Sequence, residues 1–543
     1  MQGLFRETNE DTQAAEARGE VVANILLVRS TPTSYASPAG KTERISETDL
    51  RSIGTAAHAN AMALWHGESS MDAPSCQEKD LLGACPKRVR IQTGDYFSCN
   101  RITIYIMSFI DQLLDLQVPA ALSLSPDGRR VVFTTTLSNG HKTGDHGVST
   151  VWLANIQEEF SAHRITTGHC NDRNPRWVTA DSLAYVSDGF NPGSSSAIYN
   201  MTAGLGVPIP LTPESNKSNI DKLAVDSKGK FIAYTSSDEI TPAAQQAQTN
   251  DVQVWGEDWP FNRLRLVDVM TKESRVLFHR DAHVYDFAWH SSGDKIILAS
   301  TMTPDSESCD ADGTWLDIME VNSGKSTRLA YFPGQVERLL WHGDDVYFVG
   351  PAGEQIYTSG WTIFKAGAEA KNPEANYERL AYGINECPLD CKDLEECILV
   401  HVLEGMYDQI RVLGGPTLFA DKRKILAWDA RLHAGVVTLV IAQGSVNQPP
   451  EVFALQLPLE KTRNTEQERV QLSQLGSSLS VKNLGSCTYI STPSLDGQVT
   501  LECPFLRRTD SSEAQPARGP ARPSPAIVLA SMILSPDECQ AKS

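Results

Sequence analysis

Two groups of side chains in this sequence have the residue types that bind a metal ion. The first is His279, Asp281 and His283, which alternate, so that an extended segment would turn all three toward one side as zinc ligands. Their spacing supplies no fourth ligand, and the alternative is a connection between repeats whose polar residues face solvent. We therefore assign no metal to this group.

The second group is Cys387, Cys391 and Cys397, with His401 nearby. The Cys-x3-Cys-x5-Cys spacing matches no standard zinc framework, and neighbouring apolar residues such as Ile398 are typical of a strand core. The 11 cysteines of the chain are odd in number and show no framework spacing, which favours reduced thiols over a disulfide scaffold. We expect no metal and no other cofactor here.

The elements that must position any site recur along the chain. An apolar strand end with Trp289 runs into a Ser-Ser-Gly-Asp turn at 291–294 and then into a second apolar run, which predicts an antiparallel hairpin. Similar hairpins have the anchors Leu124, Trp177, Val225 and Trp341. The five anchors lie 53, 48, 64 and 52 residues apart, and weaker copies occupy 389–402 and 428–441. Seven copies at this period predict a seven-bladed β-propeller.

Each repeat also contains a second pair of strands. Apolar runs at 150–154, 197–199, 264–269 and 315–321 lead mostly into polar turns and further strands. Four strands per unit suit a propeller blade, so the predicted fold class is mainly β, with the propeller at 117–457. The stretch between Ser236 and Trp259 lengthens the third repeat, and insertions in repeat proteins usually map to one face.

The regions that flank the repeats lack the repeated hairpin pattern. Residues 1–100 lack a sustained period, and we expect a disordered or irregular extension. Residues 101–116 carry apolar side chains at helical offsets and predict a helix on the first blade. Further strands are predicted within 481–501, around a turn at 494–497, and at 526–530.

Charge and hydropathy exclude several classes of partner. The net charge of −19, from 67 acidic against 48 basic residues, argues against nucleic acids and anionic membranes. No run of 18 apolar residues exists, because the best candidate, 102–110, is bounded by Arg101 and Asp111. The first 25 residues carry several charges and no readable secretory signal, so we expect a cytoplasmic protein. The sequence does not indicate an oligomeric state.

Three stretches in one order point to a known family. They are Ser-Pro-Asp-Gly at 125–128, Asp-Val-Gln-Val-Trp-Gly-Glu-Asp-Trp at 251–259 with Arg-Leu-Arg-Leu at 263–266, and Pro-Pro-Glu-Val-Phe at 449–453. Over about 117–530 the chain resembles the prolyl oligopeptidase family of serine peptidases, in its dipeptidyl-peptidase V and acylaminoacyl-peptidase branch. The resemblance implies that 475–543 begin an α/β-hydrolase domain, with 496–497 and 527–529 among its first elements.

That family carries a Ser, Asp and His triad in its hydrolase domain, with the Ser on a Gly-x-Ser-x-Gly elbow. No Gly-x-Ser-x-Gly occurs in the 543 residues, and we assign no catalytic residue. The expectation is a serine-type exopeptidase of this branch, truncated before its nucleophile, whose propeller admits short peptides or acylated peptides. The alternative is a non-catalytic propeller that binds a peptide or protein partner.

The resemblance also suggests a role for Glu257 and Asp258. Family members that remove dipeptides hold the substrate's amino terminus with propeller acids, because an ammonium inside a cavity needs a compensating charge. We favour the alternative, an acidic surface loop in an acidic protein. Trp255 and Trp259 are expected to pack at blade edges rather than to bind a ligand.

Overall fold

The computed structural model describes residues 110–140, 142, 144–204, 206–213, 218–238, 259–305, 307–353, 360–367, 376–380, 386–459, 468–479, 484–494, 497, 500–507 and 527–528. In these residues the strands form seven four-stranded antiparallel sheets and one three-stranded sheet. Each four-stranded sheet uses four consecutive strands paired in chain order, which is the construction of a propeller blade. The predicted fold class, mainly β with a seven-bladed propeller, is confirmed.

Blades 1 to 4 follow one another without interruption by other sheets. Blade 1 contains β1 Gln117–Leu124, β2 Arg130–Leu137, β3 Ser149–Asn155 and β4 His163–Arg164. Blade 2 contains β5 Arg173–Trp177, β6 Ser182–Ser187, β7 Ala197–Thr202 and β8 Ile209–Pro210. Blade 3 contains β9 Ile220–Val225, β10 Phe231–Ser237, β11 Asn262–Asp268 and β12 Ser274–Val276. Blade 4 contains β13 His283–Trp289, β14 Lys295–Thr301, β15 Thr314–Glu320 and β16 Ser326–Phe332.

Blades 5 to 7 complete the ring. Blade 5 contains β17 Glu337–His342, β18 Asp345–Pro351, β19 Trp361–Ala366 and β20 Glu378–Leu380. Blade 6 contains β21 Glu386–Asp393, β22 Ile398–Glu404, β23 Tyr407–Val412 and β24 Thr417–Asp421. Blade 7 contains β25 Lys424–His433, β26 Val436–Ser445, β27 Gln448–Pro458 and β28 Arg469–Gln471. The outer strand β28 lies beyond 117–457, the range that the sequence assigned to the propeller, because its polar residues carry no strand pattern.

The turn between the first two strands of a blade explains the recurring sequence pattern. In three blades a glycine N–H donates to the carbonyl three residues earlier: Gly128 to Ser125, Gly229 to Asp226 and Gly293 to His290. All three glycines have positive φ, between 66° and 74°, which other residues adopt only with strain. A Cβ on Gly229 would also lie 2.3 Å from the carbonyl oxygen of Val178 in the preceding blade.

The hydrophobic core is divided into layers between adjacent blades. Seven clusters of buried apolar side chains each combine residues of two neighbouring blades. From the junction of blades 1 and 2 around to that of blades 7 and 1, they include Tyr185, Ile232, Phe287, Phe348, Val400, Leu439 and Phe133. Each blade therefore buries its faces only by packing on its neighbours.

The ring closes without exchanging a strand between blades 1 and 7. The backbone N–H groups of Phe160 and Ala162 in blade 1 donate to the carbonyl oxygens of Gln471 and Leu472, both at 2.9 Å. Side-chain packing between the two blades accompanies these bonds. Closure therefore combines a hydrophobic layer with a short stretch of backbone pairing at the outer edge.

Short elements flank the ring. Residues 110–114 are helical, within the predicted helix at 101–116, whose earlier part lies outside the described residues. The helix α1 is Ser308–Ala311, and a single 3-10 turn covers Ser138–Gly140. No helix of the described residues is long and apolar enough to cross a membrane.

The eighth sheet follows the propeller and is antiparallel. It consists of β29 Ser486–Pro493, β30 Thr500–Arg507 and β31 Ile527–Val528. β29 lies within the predicted 481–501 and β31 within 526–530, whereas β30 begins at Thr500 and extends six residues beyond 501. The predicted turn is present, with Gly497 N–H donating to Ser494 O at 2.9 Å. The Tyr489 hydroxyl donates to the carbonyl oxygen of Lys422 at 3.3 Å, which attaches the sheet to the connection between blades 6 and 7.

Candidate binding site on the propeller axis

The first strand of each blade, called here the inner strand, lies at the axis. The inner strands contact one another in the order β25, β1, β5, β9, β13, β17 and β21. Every inner-strand pairing contains a register shift, which is a bulge that bends the strand and redirects its side chains. At three bulges Ala121, Asn174 and Arg338 adopt φ values of 51°, 52° and 56°.

Charged side chains at or next to these bulges form ion pairs between successive blades. Lys222 of blade 3 pairs with Asp286 of blade 4. The other two pairs are Arg338 Nε with Asp390 Oδ1, at 3.6 Å, and Lys392 Nζ with Asp429 Oδ1, at 3.0 Å. Three of the contacts between successive blades at the axis are therefore ion pairs.

Two of the carboxylates also accept backbone hydrogen bonds from a further blade. Asp286 Oδ2 accepts from the N–H of Leu339 at 3.2 Å, and Asp429 Oδ2 accepts from the N–H of Leu124 at 2.7 Å. Asp429 thus connects blades 6, 7 and 1. Burial alone would raise the pKa of Asp429, but Lys392 and the other donors around the carboxylate hold that pKa below its usual range.

The remaining junctions use carbonyl oxygens as acceptors. Between blades 1 and 2, Trp177 Nε1 donates to Ser123 O at 2.9 Å. Between blades 2 and 3, Arg173 Nη2 donates to Ile220 O at 2.7 Å. The same indole bond recurs as Trp289 to Ala224 O and Trp341 to Ala288 O, at 3.0 and 3.3 Å. Each of the seven junctions therefore has at least one polar contact between inner strands.

Arg176 is a half-buried cation on the axis that has unused donors. Its Nη1 donates to Pro175 O at 2.9 Å, and no carboxylate of the described residues lies within ion-pair distance of it. Burial lowers the pKa of Arg176, whereas the charges of Asp429 and Asp390 oppose that effect. Because a guanidinium stays charged in proteins and presents several parallel donors, Arg176 can bind a carboxylate in a bidentate way.

Glu337 is the acidic counterpart. It begins β17, is half-buried, and accepts a hydrogen bond from Gln335 Nε2 at 3.0 Å without an ion pair among the described residues. Burial raises the pKa of Glu337, while neighbouring Arg338 opposes the rise. Arg176 and Glu337 are therefore a cation and an anion of the inner strands that form no ion pair among the described residues.

A small cavity lies on the opposite side of the ring from the start of the inner strands. It has a volume of about 150 Å³. It is lined by Trp289 at the end of blade 4's inner strand, by Ser291 in the turn that follows, and by Leu340, Trp341 and Asp393 of blades 5 and 6. We call the side where the inner strands begin the entry face and the side where they end the turn face. The cavity is on the turn face.

The structure separates His279, Asp281 and His283, the group to which the sequence analysis assigned no metal. His279 and Asp281 are exposed, whereas His283 begins β13, is half-buried and accepts a hydrogen bond at Nδ1 from the N–H of Asn262 at 3.2 Å. Burial, with a contribution from Arg263, lowers the pKa of His283 to about 4. Among the described residues no three His, Cys, Asp or Glu side chains are grouped to hold a metal ion.

The cysteine group belongs to the strands of blade 6. Cys391 is buried and its thiol contacts Arg338 O at 3.4 Å, while burial raises its pKa well above the usual range. Buried His401 lies on the next strand with Nε2 3.7 Å from Asp408 Oδ1. None of the seven cysteines of the described residues, which include Cys387 and Cys397, forms a disulfide. These contacts are those of a strand core.

The acidic insertion cannot be placed on this axis. Glu257, Asp258 and Trp255 lie outside the described residues, and Trp259 is half-buried at the resumption of blade 3. The sequence interpretation of these acids as a surface loop stays a prediction.

Sequence reasoning did not identify the axial charges. Arg176, Asp286, Asp390 and Asp429 lie in strands of mixed composition, and three of these four strands carry further charged side chains, so charge alone does not mark the axis. One available signal was their position in the repeat, since Asp286 and Asp390 each stand three residues before the last residue of their inner strand. Aligning the seven inner strands by their ends would have shown a charged residue at this position in three of them, with Lys222 as the third, but would not have singled out Arg176 or Asp429.

No protein-family model matches the chain, and no curated protein matches it. The structure of Pyrococcus horikoshii acylaminoacyl peptidase is similar, with 14% identity, a TM-score of 0.52, and coverage of 73% of this chain and 58% of that one. An acylaminoacyl peptidase in complex with Z-Gly-Gly-Phe-chloromethyl ketone gives 13% identity, a TM-score of 0.51, and the same 73% and 58% coverage.

A further similar structure is that of a Mycobacterium tuberculosis puromycin-hydrolyzing peptidase. Its sequence is 13% identical, the TM-score is 0.50, and the match covers 75% of this chain and 61% of that one. At such identities the likeness concerns the fold, and this chain spans less than two thirds of the length of these peptidases. The propeller architecture is therefore one that known peptidases share.

Proposed function

We propose that this ring selects short peptides, as the gating propeller of a serine-type exopeptidase of the acylaminoacyl-peptidase or dipeptidyl-peptidase V kind. The proposal is supported by the family resemblance of the sequence and by the shared fold of peptidase structures. The observation that carries it is Arg176, a half-buried guanidinium on the axis with free donors.

The axis suits a short peptide better than a folded protein. All seven junctions are tied by polar contacts between inner strands, so the ring resists opening between blades. A peptide that enters the axis meets Arg176, which can bind its carboxyl terminus. Binding here orients the chain; bond cleavage would require a nucleophile and base that we do not assign to any residue of this chain.

The second candidate, a non-catalytic propeller that binds a peptide, is favoured by one sequence observation. No Gly-x-Ser-x-Gly elbow occurs among the 543 residues. In this alternative the same axial Arg176 would hold the peptide without passing it to a catalytic domain.

Calorimetric titration with a tripeptide tests the proposed role of the axis. We compare the peptide with free termini, its N-acetylated form and its C-terminally amidated form. Loss of the carboxylate should weaken binding about tenfold or more, because a charge-assisted hydrogen bond contributes about 1.5–3 kcal/mol. N-acetylation should have little effect. Equal affinity of the free and amidated peptides would contradict the role of Arg176.

A matched pair of arginine variants completes this test. Arg176→Gln should reduce affinity for the free peptide to that of the amidated one. Arg164→Gln, in the exposed outer strand β4, should leave affinity unchanged. A peptide of about thirty residues should bind no better than the tripeptide if the axis admits only short chains.

A fluorophosphonate probe tests a statement common to both candidates, that this chain carries no reactive serine. The chain should not be labelled, because no elbow serine occurs among its 543 residues. Specific labelling, with a known serine hydrolase as positive control, would require a nucleophile that the sequence did not reveal. Peptide binding without labelling or hydrolysis by this chain would agree with both candidates, because neither assigns it a nucleophile.

A further inference from the structure

The inner strand of blade 2 supplies two positive charges and no negative one. β5 contains Arg173 and Arg176 and no acidic residue. Every other inner strand that carries a lysine or arginine also carries at least one aspartate or glutamate. β5 is therefore a local excess of positive charge in a chain whose net charge is −19, and such an excess favours an anionic ligand.

The bulge in β5 places the two arginines on the same face of the blade. Arg173 lies opposite Val186 and Arg176 opposite Ala184, so three steps along β5 match two steps along β6. Asn174, with a φ of 52°, lies at this bulge. Residues directly opposite each other in an antiparallel pair share a face, and so do residues two apart in a strand. A regular strand would have turned the two arginines to opposite faces.

That face is turned toward blade 3. The partners of the two arginines, Val186 and Ala184, pack in the apolar cluster between blades 2 and 3. Trp177, the next residue of the strand, packs in the cluster between blades 1 and 2. Arg173 Nη2 also reaches the carbonyl oxygen of Ile220, in blade 3, at 2.7 Å. The two arginines are therefore neighbours on the blade 3 side, about 7 Å apart along the strand, which is the length of two residues.

Neither arginine forms an ion pair within the part of the chain that the structure describes. Arg173 is half-buried and has one donor in use, on Ile220 O. Burial lowers the pKa of Arg173, whereas the charges of Asp221 and Asp188 oppose that effect. Both of these carboxylates already accept a hydrogen bond from another group, at 2.8 and 2.7 Å. A guanidinium carries five N–H donors, so Arg173 keeps donors for a ligand beside those of Arg176.

We propose that Arg173 and Arg176 together bind the two carboxylates of an acidic C-terminal residue, so that the ring selects peptides that end in glutamate or aspartate. Arg176 binds the α-carboxylate, as in the proposed function, on which this inference rests. Arg173 binds the side-chain carboxylate. Two guanidinium groups at separate positions match two separate carboxylates, and each presents paired donors to its own.

Calorimetric titration with Ala-Ala-Glu and Ala-Ala-Gln, both with free termini, tests this assignment. The glutamine peptide has nearly the same shape but lacks the second negative charge. It should bind about tenfold more weakly, because the charge-assisted hydrogen bonds to Arg173 are lost. Equal affinity of the two peptides would overturn the inference without requiring any variant to fold.

A matched pair of arginine variants locates the second carboxylate. Arg173→Gln should remove the preference, by lowering the affinity for Ala-Ala-Glu to that for Ala-Ala-Gln. Arg164→Gln, in the exposed outer strand β4, changes the net charge equally and should keep the preference. If Arg173 served only to hold blade 3, Arg173→Gln would weaken both peptides by the same factor, and that result would overturn the inference. Circular dichroism verifies that each variant is folded.

Amidation of the C-terminus separates this inference from the proposed function. If Ala-Ala-Gln and its amide bind equally well, the proposed role of Arg176 fails. If amidation weakens binding but glutamate and glutamine peptides bind alike, only the role of Arg173 fails. A preference for glutamate that persists in Arg173→Gln and disappears in Arg176→Gln would assign the side-chain carboxylate to Arg176 and overturn the inference.

Discussion

The inner strands are joined by two different chemistries in two parts of the ring. From blade 3 through blades 4 to 7 and back to blade 1, a carboxylate at each of the five junctions pairs with lysine or arginine or accepts from a backbone N–H group. From blade 1 to blade 3, the acceptors are backbone carbonyls. We call these the carboxylate arc and the carbonyl arc.

Both arcs join neighbouring inner strands, but only the carboxylate arc does so with partly buried charges. A carboxylate such as Asp429 can accept from two other blades at once, but it must stay ionised in a partly buried place. A carbonyl accepts without any charge. Because the carbonyl arc provides no carboxylate tie, the guanidinium of Arg176 in blade 2 keeps free donors, and the candidate peptide site follows from that difference.

The largest expected effect comes from breaking the carboxylate arc at its most connected residue. Asp429→Ala would leave Lys392 and the N–H of Leu124 without their acceptor and should lower the free energy of unfolding by about 3–5 kcal/mol. Urea denaturation followed by tryptophan fluorescence measures the change.

An exposed ion pair serves as the control for that variant. Asp181→Ala removes the partner of Arg130, but the Asp181 side chain is 84% exposed, so a loss of no more than about 1 kcal/mol is expected. Similar losses in Asp429→Ala and Asp181→Ala would mean that the axial carboxylate contributes no more than a surface charge.

The next effect concerns how stability depends on pH at the first junction of the carboxylate arc, between blades 3 and 4. His283 of blade 4 accepts a hydrogen bond from Asn262 of blade 3, and its pKa of about 4 lies below the ordinary value near 6.5. Between these values the unfolded chain binds more protons than the folded one, so stability falls as the pH decreases from about 6.5 to 4, by up to about 3 kcal/mol.

Replacing His283 by asparagine should flatten that part of the pH profile. The amide oxygen of the introduced side chain stands near the position of Nδ1 and keeps the acceptor, while the titrating group is gone. The same replacement at exposed His279 should leave the profile unchanged. An unchanged slope between pH 6.5 and 4 in His283→Asn would show that another group controls acid sensitivity.

The sequence predicted the fold much better than the candidate site. Turns require glycines with positive φ, as at Gly128, Gly229 and Gly293, and strands require apolar runs, so both leave a readable pattern. The direction in which a side chain points near a bulge leaves no such pattern in the sequence. In β13 the register shifts between Val284 and Asp286, and a period-two reading cannot tell that Asp286 joins the axial network.

The metal interpretations were also limited by what a single sequence shows. Alternating positions suggested that His279, Asp281 and His283 share one side, but only His283 belongs to a strand. The alternation rule applies only within an extended segment, and the strand begins after the first two residues.

The smallest expected effect tests the carbonyl arc with two tryptophans that differ in one hydrogen bond. Trp177→Phe removes the N–H that reaches Ser123 O, whereas the buried Nε1 of Trp428 in blade 7 has no acceptor among the described residues. Both variants lose ring area. Trp177→Phe loses one hydrogen bond, whereas Trp428→Phe removes a buried N–H group that was already without an acceptor. The free energy of unfolding of Trp177→Phe should therefore be lower than that of Trp428→Phe by about 1 kcal/mol. If Trp428→Phe lowers the free energy of unfolding more than Trp177→Phe does, the hydrogen bonds to carbonyls contribute less to the stability of the ring than side-chain packing. Only the carboxylate arc would then be held by polar contacts.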